Sequence, residues 1–241
     1  MKKYFLAAFV LTGFITNAQI KQGTIIYERK VDVHRRLEDE QVKAMVPQFQ
    51  TAKAELIFKD NVSLYRPVPE DNAPDPFDNG GGNGGVVIRI GGPGAGSEMY
   101  KDYTTQKTFE QTELADKDYI IDDTLRTYAW KLSDETKTIL NHPCKKATMK
   151  TERGEDVIAW YAQDIQTPAG PDNFGGLPGS ILWMDINNAE RVYSALEIKS
   201  EAGNISTPTK GKHITRADFN KKLDELFGPA TPDGRRMMIR N

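Results

Sequence analysis

Cysteine is almost missing from this 241-residue sequence: Cys144 stands alone, so no internal disulfide can form. A chain of this length buries enough surface to fold without one. Histidine is scarce too. His34, His142 and His213 fall in three distant segments, without an H-E-x-x-H or paired-cysteine spacing, so no metal centre is predicted. A dominant charge is also lacking. With 32 Lys+Arg against 34 Asp+Glu there is no global positive field to draw in nucleic acid. No apolar run reaches the roughly 20 residues needed to span a bilayer. Loop-forming residues are plentiful, Gly 20 and Pro 13, beside 38% hydrophobic residues. That balance predicts a globular body of one large domain or two small ones, at about 150 residues per domain.

The N-terminus has the order of a secretory signal peptide. Lys2 and Lys3 precede an apolar run over 4–15, and Thr16-Asn17-Ala18 supplies the small residues before a cut at Ala18/Gln19. Cys144 lies far from that junction, so no thiol is placed there for a lipid anchor. The expected product is a periplasmic or secreted protein, untethered, with no transmembrane segment in the mature chain.

Residues 24–33 alternate, with Ile25, Tyr27, Val31 and Val33 on one face and Glu28, Lys30 and Asp32 mostly opposing them, which predicts a half-buried strand. Over 36–46, Leu37, Val42, Met45 and Val46 predict one side of a short helix that Pro47 ends. Segments 55–58 and 62–65 flank Lys59-Asp60-Asn61 as a hairpin. Then the composition shifts. Residues 67–97 carry Pro67, Pro69, Pro74 and Pro76, followed by Gly80-Gly81-Gly82-Asn83-Gly84-Gly85, and cannot bury enough apolar surface to offset chain entropy. A flexible insertion is expected, with an island of strand-forming residues in it, Val86, Val87, Ile88 and Arg89.

Further strands are expected at 99–103, 108–114, 119–122 and 127–132. A hairpin pairs 144–150 with 157–164, and another pairs 181–186 with 191–199 around Asn187-Asn188. The strong helical pattern comes late: Thr215 and Asp218 form a cap-like start, Phe219, Leu223, Leu226 and Phe227 share a face, and Gly228-Pro229 stops it. About ten strands without βαβ alternation predict a mainly β fold. Its form is a curved antiparallel sheet or half-barrel meander, with a short N-terminal helix and the amphipathic C-terminal helix across it. One domain over 19–228 and a loose tail over 229–241 complete the expected organisation.

Familiar catalytic patterns fail on inspection. The run from Val86 into Gly91, Gly92, Gly94 and Gly96 suggests a dinucleotide loop, but Ser97 stands where G-x-G-x-x-G needs glycine, and strand-forming residues follow. Asp75, Asp78 and Asn79 resemble a calcium loop, yet Phe77 takes a ligand position and Val86 the place of the required glutamate. Ser180 follows Gly179 outside any G-x-S-x-G elbow. Cys144 as a nucleophile would need a base. His142 is two residues away, but Pro143 between them argues against regular strand pairing, so a buried structural thiol is expected. No catalytic residue, cofactor or metal ligand is assigned. In the segment Gly175-Gly176-Leu177-Pro178-Gly179-Ser180-Ile181, Pro178 and Gly179 suit the central positions of a type II turn, with Leu177, Ile181 and Trp183 directed into one core.

In order and spacing, Cys144 with Ala147, then Trp160-Tyr161, then Gly170-Pro171, then Gly176-Leu177-Pro178-Gly179 with Ile181 resemble the GLPGLI family of secreted Bacteroidota proteins. The resemblance covers about residues 141–200. Ser180 departs from the family's leucine. The resemblance implies no established enzymatic activity, and an envelope protein as partner, such as a TonB-dependent outer-membrane receptor. The function expected is a non-enzymatic envelope binding or assembly factor. Val86-Val87-Ile88-Arg89 and the tail residues Met237, Met238, Ile239 and Arg240 share a two-apolar-then-Ile-Arg pattern suited to adding to a sheet edge, and are the candidate docking segments. One alternative is a carrier of an apolar ligand or lipid, with Trp130, Trp160, Trp183 and Phe174 lining a pocket. A hydrolase using Cys144 or a histidine is the remote alternative.

Overall fold

The computed structural model describes residues 19–68 and 97–229. The signal peptide, the island 86–89 and the docking residues 237–240 lie outside them. Twelve strands form one sheet: β1 (Gly23–Asp32), β2 (Phe49–Lys59), β3 (Val62–Pro67), β4 (Glu98–Asp102), β5 (Lys107–Leu114), β6 (Lys117–Thr124), β7 (Lys131–Ile139), β8 (His142–Lys150), β9 (Asp156–Ala162), β10 (Ser180–Ile186), β11 (Arg191–Lys199) and β12 (Lys212–Thr215). Their order across the sheet is β12-β6-β5-β4-β3-β2-β1-β11-β10-β9-β8-β7. Two meanders, β1–β6 and β7–β11, are joined by the antiparallel pairing of β1 with β11. The fold is mainly β, as expected.

Short connections show how strongly the sheet curves. Residues 125–130 link β6 to β7, ten positions apart in the order. Six extended residues reach about 20 Å. On a flat sheet those strands would lie about 48 Å apart. The sheet therefore curls until its two ends approach, although it stays open. The loop over 163–179 packs inside the curl.

Alternation places the interior. Ile25, Tyr27, Val31 and Val33 are buried as expected. One cluster is built on β8–β11 from Ala147, Met149, Val157, Ala159, Met184, Ile186 and Tyr193, capped by Phe174 and Leu177 of the loop. Tight turns have the chemistry that the sequence suggests. Asp60-Asn61 and Asn187-Asn188 take φ of 50°, 64°, 56° and 53°, a region where Asn and Asp carry little penalty.

Several expectations are corrected. The helix expected over 36–46 is a 3-10 turn (Val33–Arg36) followed by the six-residue α1 (Glu40–Met45), which buries no residue, and Met45 is 81% exposed. Residues 127–130 are not strand. They belong to the β6–β7 link, where Tyr128 and Trp130 turn toward the interior cluster, and the strand runs instead along polar β7, an edge whose exposed side chains leave no apolar alternation. Pro143 does sit in a strand. It faces Thr138 next to the β7–β8 turn, and the β9 ladder starts only at Cys144, so no neighbour lacks its absent N–H.

The late helix, α2 (Arg216–Phe227), is capped by Thr215, whose Oγ1 accepts from the Asp218 N–H at 3.1 Å. It does not cross the sheet. It packs at one end, Phe219 and Leu223 against Leu114, Tyr119 and Ile121, while Leu226 points outward, 53% exposed. The preceding β12 pairs in parallel with β6. Its four residues are too few to show a period.

Candidate ligand pocket

The motif residues gather around the interior loop. Leu177 and Ile181 enter the cluster with Ala147 and Tyr161, and Cys144 enters a neighbouring one with Ile25, Tyr27 and Leu182. The turn differs from the expected type II. The Gly179 N–H donates to the Leu177 carbonyl at 2.8 Å, closing a three-residue turn on Pro178, and the Ser180 N–H goes to Ile165 at 3.2 Å. Gly179 has φ 149°, and a Cβ there would overlap the Ala162 carbonyl, so only glycine fits. Gly176, at φ 82°, makes the preceding bend in open space. Ser180 is fully buried and donates to the Ala169 carbonyl at 3.3 Å, which satisfies the hydroxyl.

Trp183 does not join that core. A register shift between Ile181 and Trp183 carries it opposite Trp160, and the Lys137 ammonium lies over both rings, 4.4 and 4.5 Å from their centroids. Trp130 and Phe174 belong to the interior cluster, where the Trp130 indole donates to Gly175 at 2.9 Å. The four aromatics therefore line no common pocket.

Cys144 is buried, and burial pushes its thiol up to about 11, away from thiolate chemistry. Its Sγ contacts the His142 carbonyl at 3.5 Å, while His142 Nδ1 meets Asp164 at 2.7 Å. His213 pairs with Asp122, and His34 bonds the Val46 carbonyl. The three histidines stay apart, and no group of metal-ligating side chains forms among the described residues.

A cavity of about 210 Å³ opens between β1–β4, β11 and the loop, lined by Arg29, Ala54, Tyr65, Met99, Asp172 and Tyr193 among others. Register explains this meeting. Arg29 faces Tyr193 on β11 and Ala52 on β2, and Tyr65 faces Met99 on β4. Tyr193 donates its hydroxyl to Asp172 Oδ2 at 2.8 Å, and burial, reinforced by Asp172, holds that phenol far above its usual range. Asp172 takes φ 55°, and its carbonyl accepts from Lys101 Nζ at 2.9 Å. The same ammonium reaches the Phe174 carbonyl at 3.2 Å. It is 5% exposed, and burial draws its pKa down to about 8 against the pull of Asp172.

None of these pocket residues was singled out by the sequence reading. A signal existed: position 29 shares the face of Tyr27 and Val31, and position 101 that of Met99 and Tyr103, so each puts a charge in an inward row. Asp172 follows the Gly170-Pro171 element directly.

Two crystal structures of PNGF-II resemble the fold, in space groups P21 and C2. Each has a TM-score of 0.56, at 12% and 14% identity, covering 83% and 84% of this chain. The likeness is one of fold, and this chain spans 32% of the PNGF-II chain. An uncharacterized conserved protein from Thermus thermophilus aligns at a TM-score of 0.42 and 6% identity, over 82% of this chain and 91% of its own. No curated protein sequence matches. A family model described as N-glycanase peptide, N-terminal domain, matches residues 98–226. Over half of the chain lies in that match, and the protein belongs to this N-glycanase N-terminal domain family.

Proposed function

We propose that the chain is an exported, GLPGLI-type protein that acts by binding at the cell envelope and not by catalysis, as an accessory to an outer-membrane transport system. The observation that carries this reading is the filled interior. The curled sheet packs its own loop inside and leaves a small cavity of about 210 Å³, and Cys144 is buried with its thiol held protonated. The signal-peptide order of residues 1–18 supports export. A lipid carrier is less well supported, because the cavity falls below the roughly 300 Å³ at which ligand pockets usually begin.

The test uses the full chain expressed with its own N-terminus. Expected are a mature protein beginning at Gln19, capture of an outer-membrane receptor from envelope extract, and no glycan release from an N-glycopeptide. Glycan release that Asp172→Asn abolishes would overturn the non-catalytic reading. Retention of Met1 would overturn export.

A further inference from the structure

The cavity holds an imbalance of charge. Arg29 makes no hydrogen bond or ion pair among the described residues, although strand alternation turns it inward with Tyr27 and Val31. Tyr65 lines the same space, and its hydroxyl likewise has no hydrogen-bond partner among the described residues. Asp172, by contrast, is answered on several sides. It takes the Tyr193 hydroxyl, and Arg191 and Lys101 both act on it electrostatically. Arg191 is itself shared with Glu155 and Glu190. The charge left over in the cavity is therefore positive, on Arg29, with the exposed Lys53 adding a second cation to the lining.

Arg29 is only half-buried, so its guanidinium keeps part of its hydration, and an anion entering the cavity would take the place of that water. The planar guanidinium fork matches a carboxylate in a bidentate geometry. Of the remaining lining residues, Ala52, Ala54, Pro67 and Met99 are apolar and leave room for a short carbon frame, and Lys53 and Ser97 add polar groups. At about 30 Å³ per water molecule the space equals about seven waters, which suits a small molecule.

We propose that this cavity binds a small organic acid, its carboxylate on Arg29 and a hydroxyl or amino donor on Asp172. The inference rests on the binding reading above and names its ligand class. The full chain is titrated by NMR with L-lactate and D-glucuronate, with acetate and glucose as probes lacking the donor and the carboxylate. Both acids should give saturable shifts at Arg29, Tyr65 and Tyr193, with glucose giving none. Arg29→Met should weaken the acids roughly tenfold or more, and Arg29→Lys should restore part of that. Asp172→Asn, which an Asn at positive φ tolerates, should erase the preference for lactate over acetate.

Glucose binding as tightly as the acids overturns the proposal, as does unchanged acid binding in an Arg29→Met variant that melts like the parent. Receptor capture by Arg29→Met is measured beside it. Capture without acid binding sinks this inference alone and leaves the binding reading standing.

Discussion

The two halves of the sheet cover the same inward face by different means. On β8–β11 that face is apolar, with Ala147, Met149, Val157, Ala159, Met184 and Ile186 all buried, and the loop carrying Phe174 and Leu177 seals it. On β4 and β5 the buried row carries Lys101, Thr108, Glu110 and Thr112 between the apolar Met99 and Leu114. Charge pairing does the covering there. Arg216, at the start of α2, reaches Glu110 at 2.5 Å and Asp123 at 3.3 Å, and Ser97 donates to Glu110 at 3.1 Å. Apolar packing tolerates many arrangements but no water, whereas paired charges fix one geometry and lose heavily when a partner goes. The cavity lies along the β1–β4 side of the loop, where one style of covering gives way to the other.

The comparison breaks most severely at the turn that seats the loop. Gly179→Ala should cost on the order of 3 kcal/mol or more, because the new Cβ strikes the Ala162 carbonyl and φ is unfavourable. Gly154→Ala, at φ 81° with nothing within 4 Å, should cost only about 1 kcal/mol. Urea unfolding of both variants checks the difference, and equal losses would mean that the close approach is not what holds the loop.

The polar half should fail by coupling. Glu110→Gln and Arg216→Met should each cost about 2–3 kcal/mol, with a double variant less destabilised than their sum by at least about 1 kcal/mol. Additive losses would show two independent surface contacts in place of a network.

Lys101, where the β4 row meets the loop, gives the smallest and most diagnostic effect. Burial lowers its pKa from 10.5 to about 8. Below pH 8 the lysine is protonated in both states, and the folded protein bears the full cost of a buried ammonium. Between about 8 and 10.5 only the unfolded chain keeps the proton, so stability rises with pH. Above that window the contribution is constant. The buried phenols Tyr27 and Tyr193, with raised pKa values, act oppositely at pH above 10. Measured against Lys101→Met, wild-type stability should therefore gain on the order of 1–3 kcal/mol between about pH 7 and 10. A difference that stays flat with pH sinks the prediction.

Strands were legible where one face is apolar. The alternation over 24–33 corresponds to β1, and the hairpins expected at 55–65 and 144–164 hold, the second with its last strand ending at Ala162, because burial of one face imposes a period of two. Edges were harder to read. β7 carries Asp134, Glu135 and Lys137 on an exposed edge, and β12 is four residues long, so neither had a buried face to announce it. The Val42 and Met45 pattern suggested a buried helical side, but among the described residues α1 buries no side chain, and Met45 is exposed. For the candidate site, the loop motif pointed to the right neighbourhood through Gly170-Pro171. The charges facing inward from β1 and β4 went unread because their partners lie in other segments.

By itself the sequence determined what near neighbours along the chain decide. Asp60-Asn61 and Asn187-Asn188 turn because their side chains tolerate positive φ, Thr215 caps α2 through the next turn's N–H, and strand faces follow the pleat. Tertiary structure alone decided that β1 would pair with β11 and that a six-residue link would draw the sheet's two ends together. Only that closure brings Arg29, Tyr65, Asp172 and Tyr193 to one cavity. Periodicity records which face of a strand is buried and says nothing of which distant strand will share it. The pairing is chosen by how the whole sheet twists and closes around its loop.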